Sequence, residues 1–101
     1  RAARTGFDWP DPSGARAKID EELAEVEAAT SDAHRAEEIG DLLFAMVNWS
    51  RKLGVEPEAA LRAANTKFET RFRAMEAEAG EAFATLDLDA QEALWQQVKR
   101  R

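Results

Sequence analysis

Cysteine is absent from this 101-residue chain, and histidine occurs once, as His34. Without thiols the chain forms neither disulfides nor thiolate metal sites, and a single imidazole offers little to zinc or copper. Acidic residues, in contrast, number 20 against 14 lysines and arginines, which gives a net charge of -6. Oxygen is therefore the abundant ligand type, and the negative balance argues against binding to duplex nucleic acid.

Long hydrophobic runs are also missing. No segment approaches the roughly 18 consecutive apolar residues of a membrane span, and residues 1–5 lack the apolar stretch of a secretory signal. We therefore predict a cytoplasmic protein that does not bind membranes. With 45% hydrophobic residues the chain suits one domain over residues 1–101, and its start at Arg1 leads us to expect a fragment of a longer protein.

The hydrophobic pattern predicts an all-α protein, because no segment alternates with the period of a strand. Residues 1–13 hold two of the three prolines, together with Phe7 and Trp9, and indicate an extended arm. Four helices follow, and each begins at a capping residue or a proline. The first helix is predicted from Asp11–Pro12 to about Thr30, and the second from Ser31 or Asp32 to Gly54. The third is predicted from Pro57 to Gly80. After an irregular link, the fourth is predicted to begin with a capping box of Asp89 and Glu92 and to end at the basic C-terminus.

The middle of the second helix, Leu42–Val47, is apolar on every side. Such a helix is normally covered all round, and the other helices of one chain can hardly enclose it. We therefore predict a short bundle of four main helices that is completed by homodimerisation.

Two acidic motifs are the most informative feature of the sequence. They read Glu-Glu-Leu-Ala-Glu at residues 21–25 and Glu-Glu-Ile-Gly-Asp at residues 37–41. Carboxylates three residues apart share a helix face. On a helical wheel Glu22 borders the apolar stripe of its helix and Glu25 lies about one step beyond it, whereas Glu38 and Asp41 point inward. Four carboxylates in one place are costly unless a cation binds among them, so we predict a hard divalent metal site; the alternative is solvated surface acids.

Three residues near these motifs have predicted supporting roles. Gly40 costs about 1 kcal/mol relative to alanine inside a helix, which indicates either that something approaches the backbone closely there or that the position lacks room for a side chain. Lys18 lies one turn before Glu22 and either orients that acid, contacts a phosphate or forms an ordinary ion pair. His34 is expected to be exposed in the first turns of the second helix.

A second group of polar residues borders the predicted core of the third and fourth helices. Lys67 and Arg71 are four residues apart and can together hold a phosphate; Asn65, on the other border, can form a hydrogen bond. Trp95 and Lys99 repeat the spacing of four on the last helix, and Trp95 can stack on a base or pack in the core. Surface ion pairs are the alternative for the cations.

Taken together, these residues resemble the MazG family of nucleoside triphosphate pyrophosphohydrolases, in particular the second of the tandem domains in bacterial members. The similarity is carried by both acidic motifs and by Gly6–Trp9, Gly40–Phe44, Ala64–Phe72 and Leu94–Arg100. The resemblance implies an all-α homodimer or dimer of dimers, dependent on Mg²⁺ with Mn²⁺ as a possible substitute. It also implies hydrolysis of a nucleoside triphosphate to a monophosphate and pyrophosphate, with water attacking the α-phosphorus.

The resemblance further implies roles for particular residues. The implied metal ligands and catalytic residues are Glu22, Glu25, Glu38 and Asp41, and the implied nucleotide-facing residues are Lys67, Arg71, Trp95 and Lys99. Asn65 and Lys18 are our additional candidates for substrate contacts.

Two other functions compete with this interpretation. A di-iron carboxylate bundle also places glutamates inside helices, but it requires Glu-x-x-His motifs, and neither acidic motif contains histidine. A non-catalytic helical interaction module, in which the acids only aid solubility, is the second alternative.

Overall fold

The computed structural model describes residues 11–100, and nearly all of them are helical. They form α1 (Pro12–Ala28), α2 (Asp32–Lys52), α3 (Pro57–Ala79), a 3₁₀ helix (Gly80–Thr85) and α4 (Leu88–Lys99). No strand occurs within this range, so the all-α class and the four main helices are confirmed. Most of the predicted arm, including Phe7 and Trp9, lies outside the described residues.

Short polar side chains fix the starts of the first two helices. Asp11 accepts a hydrogen bond from the backbone N–H of Ser13 at 2.9 Å, and Pro12 occupies the first turn. The arm predicted to reach residue 13 therefore ends earlier, because Pro12 and Ser13 are already helical. Ser31 caps α2 by accepting from the N–H of His34 at 3.1 Å.

The start of α4 differs from the prediction. Its cap is Asp87, whose carboxylate accepts from the N–H of Ala90 at 2.8 Å, whereas Asp89 lies inside the first turn. The link before it is a 3₁₀ helix and not an irregular segment. Both aspartates are suitable helix caps. The earlier one is the cap because the 3₁₀ helix ends at Thr85 and α4 begins soon after it, at Leu88. The capping-box assignment to Asp89 and Glu92 was therefore wrong.

Glycines end α2 and α3 as predicted. Gly54 has φ of 80° and Gly80 has φ of 63°, values in the left-handed region that side chains other than glycine rarely adopt.

The chain divides into two compact units, Arg1–Pro57 and Glu58–Arg101. In the first unit α1 packs against α2 and buries Ala15, Ile19 and Ala45. In the second unit the buried apolar residues are Met75 and Val98. None of the helices in residues 11–100 is both long enough and apolar enough to span a membrane.

The apolar surface of α2 is only partly covered. Phe44 is 66% exposed and Leu43 is 57% exposed, and several neighbours share this exposure: Ile39, Met46 and Val47. The described residues thus leave much of this helix uncovered, as the sequence led us to expect of a single chain. Homodimerisation itself stays a prediction.

Candidate metal and anion sites

Three carboxylates come together between α1 and α2. One oxygen each from Glu22, Glu38 and Asp41 lies within 4.8 Å of the other two. Glu22 comes from α1 and is 7% exposed, Glu38 is half-buried, and Asp41 is exposed. The spacing of three on α2 puts its two acids on the face that meets Glu22.

The fourth predicted ligand, Glu25, does not belong to this group. It is exposed on α1, one turn after the buried Glu22. The structure therefore brings together three of the four acids, and the role of Glu25 stays a prediction.

Two of the clustered acids each contact a basic side chain that lies one turn earlier on the same helix. Lys18 Nζ lies 3.1 Å from Glu22 Oε1, and His34 Nε2 lies 3.2 Å from Glu38 Oε1. The hydrogen bond to Glu22 is the main cause of a raised pKa at Lys18, and the charge of Glu21 adds to it. Lys18 is therefore a cation at neutral pH. His34 lies in the first turn of α2, as expected, with its side chain 43% exposed. The spacing of four also lets its ring reach Glu38.

The donor set fits magnesium. All three donors are carboxylate oxygens, and Mg²⁺ binds oxygen at about 2.1 Å, so its ligand atoms lie at most about 4.2 Å apart. One oxygen from each of the three acids lies within 4.8 Å of the other two, which is close to this limit. The exposure of Asp41 leaves room for the waters that Mg²⁺ retains.

Gly40 lies between the two acids of α2 but has no close neighbour. A Cβ added there would meet nothing within 4 Å. The expected close approach to this backbone is therefore not made by any residue in the described part of the chain.

The second unit contains a basic cleft of about 380 Å³ between α3 and α4. Its described lining residues are Lys67, Thr70, Arg71, Ala74, Val98 and Lys99. Three cations and a hydroxyl thus converge without an acidic side chain among these lining residues, an arrangement suited to a polyanion. Thr70 was missed from the sequence, although it lies one turn after Lys67 on the same helix.

Trp95 and Asn65 are placed differently from these cations. Trp95 is half-buried and lines a second cleft of about 290 Å³ with mainly aromatic and apolar neighbours and with Gln91 and Glu92. Asn65 is exposed on α3 and lines neither cleft. The guanidinium carbon of Arg71 lies 5.7 Å from the centroid of the Trp95 ring.

Comparison with known proteins gives these sites a family context. The profile of the phosphoribosyl-ATP pyrophosphohydrolase (PRA-PH) family matches residues 11–68, which include all three clustered acids. The chain belongs to this PRA-PH/MazG-like family. The resemblance noted in the sequence is thereby confirmed.

Two relatives extend the similarity beyond the PRA-PH profile. The chain is 53% identical over 75 residues to the nucleoside triphosphate pyrophosphohydrolase/pyrophosphatase MazG of Thermotoga maritima, a span of 74% of this chain and 29% of that protein. It is 45% identical over 109 aligned residues to the nucleoside triphosphate pyrophosphohydrolase of Escherichia coli, a span of 100% of this chain and 41% of that protein. This PRA-PH domain thus covers less than half of the length of either relative, and the alignment with the second includes the basic cleft.

Proposed function

We propose that this domain hydrolyses nucleoside triphosphates to a nucleoside monophosphate and pyrophosphate in a metal-dependent reaction. The observation that carries the proposal is the cluster of Glu22, Glu38 and Asp41, found in a chain whose relatives are named nucleoside triphosphate pyrophosphohydrolases.

The proposed metal is Mg²⁺, with Mn²⁺ as a possible substitute. The three clustered acids would hold it, and Glu25 is proposed as a fourth ligand. When bound, the ion would neutralise phosphate charge and make a coordinated water more acidic. Lys18 and His34 would hold two of the carboxylates in place through the contacts described above.

The proposed reaction breaks the bond between the α-phosphorus and the oxygen that bridges it to the β-phosphorus. Water forms the new bond to the α-phosphorus, and an oxygen of the carboxylate cluster that does not bind metal accepts the water proton. Pyrophosphate leaves with the bridging oxygen. The cations of the basic cleft, Lys67, Arg71 and Lys99, would neutralise its charge, and Asn65 and Lys18 are proposed further contacts to substrate.

We also propose that the active form is a homodimer or a dimer of dimers in which a second copy covers α2. Gly40, Leu43, Phe44 and Val47 follow the spacing that puts residues on one helix face, and the three large side chains among them are exposed. Exposed apolar patches of this kind commonly mark sites of protein–protein contact. The empty space at Gly40 would admit the second copy.

The test is a phosphate-release assay on nucleoside triphosphates in Mg²⁺, with and without added inorganic pyrophosphatase. Signal that requires the pyrophosphatase indicates cleavage between the α- and β-phosphorus, whereas direct phosphate release would contradict the proposal. Glu38→Gln should abolish the signal, and Glu37→Gln, at an exposed neighbouring acid, should retain it. Equal turnover by both variants would contradict catalysis at this cluster, and no turnover by the unmodified protein would favour a non-catalytic interaction module.

A further inference from the structure

The ring of Trp95 is in contact with a cation. Arg71 Cζ lies 5.7 Å from the ring centroid, within the roughly 6 Å over which an aromatic face attracts a guanidinium. Both side chains are half-buried, and partial removal from water strengthens such a contact. The guanidinium of Arg71 thus lies over the face of the Trp95 indole.

Trp95 also contacts a cluster of aromatic side chains, of which Phe68 and Phe72 are partly exposed. Phe68 contacts the indole with 5.6 Å between ring centroids, and Phe68 also stacks on Phe72 at 5.9 Å. Phe72 in turn meets Phe83 edge-on at 5.4 Å. These contacts join α3, the 3₁₀ helix and α4 and restrict the position of the indole.

Arg71 has its polar end free for a ligand. Within residues 11–100 no carboxylate lies at ion-pair distance from it, and it lines the basic cleft with Lys67 and Lys99. Trp95 itself is not among the residues that line this cleft. Trp95 therefore contacts a residue that lines the cleft, Arg71, but does not line the cleft itself.

We propose that Trp95 is a positioning residue that holds the Arg71 guanidinium ready to bind the pyrophosphate portion of the substrate. This inference rests on the proposed function, because it takes the basic cleft to be the anion site. A guanidinium held in place loses less conformational entropy when it forms two parallel hydrogen bonds to phosphate oxygens. The contribution of Trp95 to binding is then independent of any base, in contrast to a stacking role.

The experiment measures binding of inorganic pyrophosphate in the presence of Mg²⁺ by calorimetry, because this probe contains no base. We expect Trp95→Leu to weaken pyrophosphate binding about two- to fivefold. Arg71→Gln should weaken it at least as much, and adding Trp95→Leu to Arg71→Gln should have little further effect. Arg62→Gln removes an exposed cation of α3 that lines neither cleft and should leave binding within about twofold.

Three outcomes would overturn the inference. The first is that Trp95→Leu weakens pyrophosphate binding equally in the unmodified protein and in Arg71→Gln. The second is that Trp95→Leu weakens binding of nucleoside triphosphate but not of pyrophosphate, which would indicate stacking on the base. The third is an unchanged affinity for pyrophosphate in Arg71→Gln, because Arg71 would then not take part in anion binding. The coupled assay on the unmodified protein tests hydrolysis separately. Should Trp95→Leu fold poorly by circular dichroism, Trp95→Phe keeps an aromatic face and should give an intermediate affinity.

Discussion

Lys18 Nζ lies 3.1 Å from Glu22 Oε1, so the most buried acid of the carboxylate cluster is paired with a cation on its own helix. The pair offsets part of the repulsion among three acids before any ion binds. Lys18 therefore has a role in the metal-free protein that differs from a contact to substrate.

Lys18→Met should lower the melting temperature in EDTA, because the repulsion among Glu22, Glu38 and Asp41 is then uncompensated. Saturating Mg²⁺ should recover more stability in this variant than in the unmodified protein. Differential scanning calorimetry in the two conditions measures the difference. Arg73→Met removes a cation from an exposed pair with Glu69, and its change in melting temperature should be the same in EDTA and in Mg²⁺. The prediction would be contradicted if Mg²⁺ raised the melting temperatures of Lys18→Met and Arg73→Met by the same amount.

Glu25→Gln should weaken Mg²⁺ binding, because we propose Glu25 as a fourth ligand. Its effect should be smaller than that of Glu22→Gln, because Glu25 is exposed and outside the cluster. Glu27→Gln, at another exposed acid two residues away, is the matched control. Calorimetric titration with Mg²⁺ decides, and equal affinities of the variants at positions 25 and 27 would limit the ligands to three.

Gly40→Ala has two opposing expected effects. Alanine raises the helix stability of α2 by about 1 kcal/mol, and nothing within the described chain obstructs the new methyl group. A second copy packed on this face would obstruct it, so we expect weaker dimerisation in sedimentation equilibrium. Arg35→Ala, an alanine substitution at an exposed residue on the other side of α2, should not change dimerisation. An unchanged dimer in Gly40→Ala would place the interface elsewhere.

Asp11 should make the start of α1 sensitive to acid. Its hydrogen bonds from the hydroxyl and N–H of Ser13 hold its pKa below the usual 3.8. A lowered pKa means that this stabilisation is complete above pH 3.8 and is lost as the pH falls through the lowered value. Asp11→Ala should therefore be less stable than the unmodified protein at pH 7, with the difference shrinking near pH 2. A constant difference across this range would contradict the cap, and Glu27→Gln serves as a control for general charge effects.

The sequence predicted those features that depend on local rules. Caps at Asp11 and Ser31 follow from hydrogen-bonding chemistry within one turn, and the inward pair on α2 follows from helical geometry. The cap of α4 was mispredicted because Asp87 and Asp89 are equivalent locally, and the preceding 3₁₀ helix decides between them.

Contacts that depend on rotamers or on distant packing were not predictable. The reach of His34 to Glu38 depends on side-chain torsions that composition does not specify. The contact between Arg71 and Trp95 joins residues on different helices, so no periodicity within one helix reveals it. The helical wheel placed Glu25 about one step further from the apolar stripe than Glu22, and Glu25 is indeed exposed and outside the cluster.

The buried apolar residues among positions 11–100 number five, and two of them, Ala15 and Ala45, are alanines. So sparse an interior contributes little hydrophobic stabilisation. If association supplies the remainder, folding and assembly become one equilibrium, and the temperature at which the protein unfolds must rise with its concentration. Dilution alone would then unfold the domain, and the amount of protein in the cell would help to determine how much of it is active.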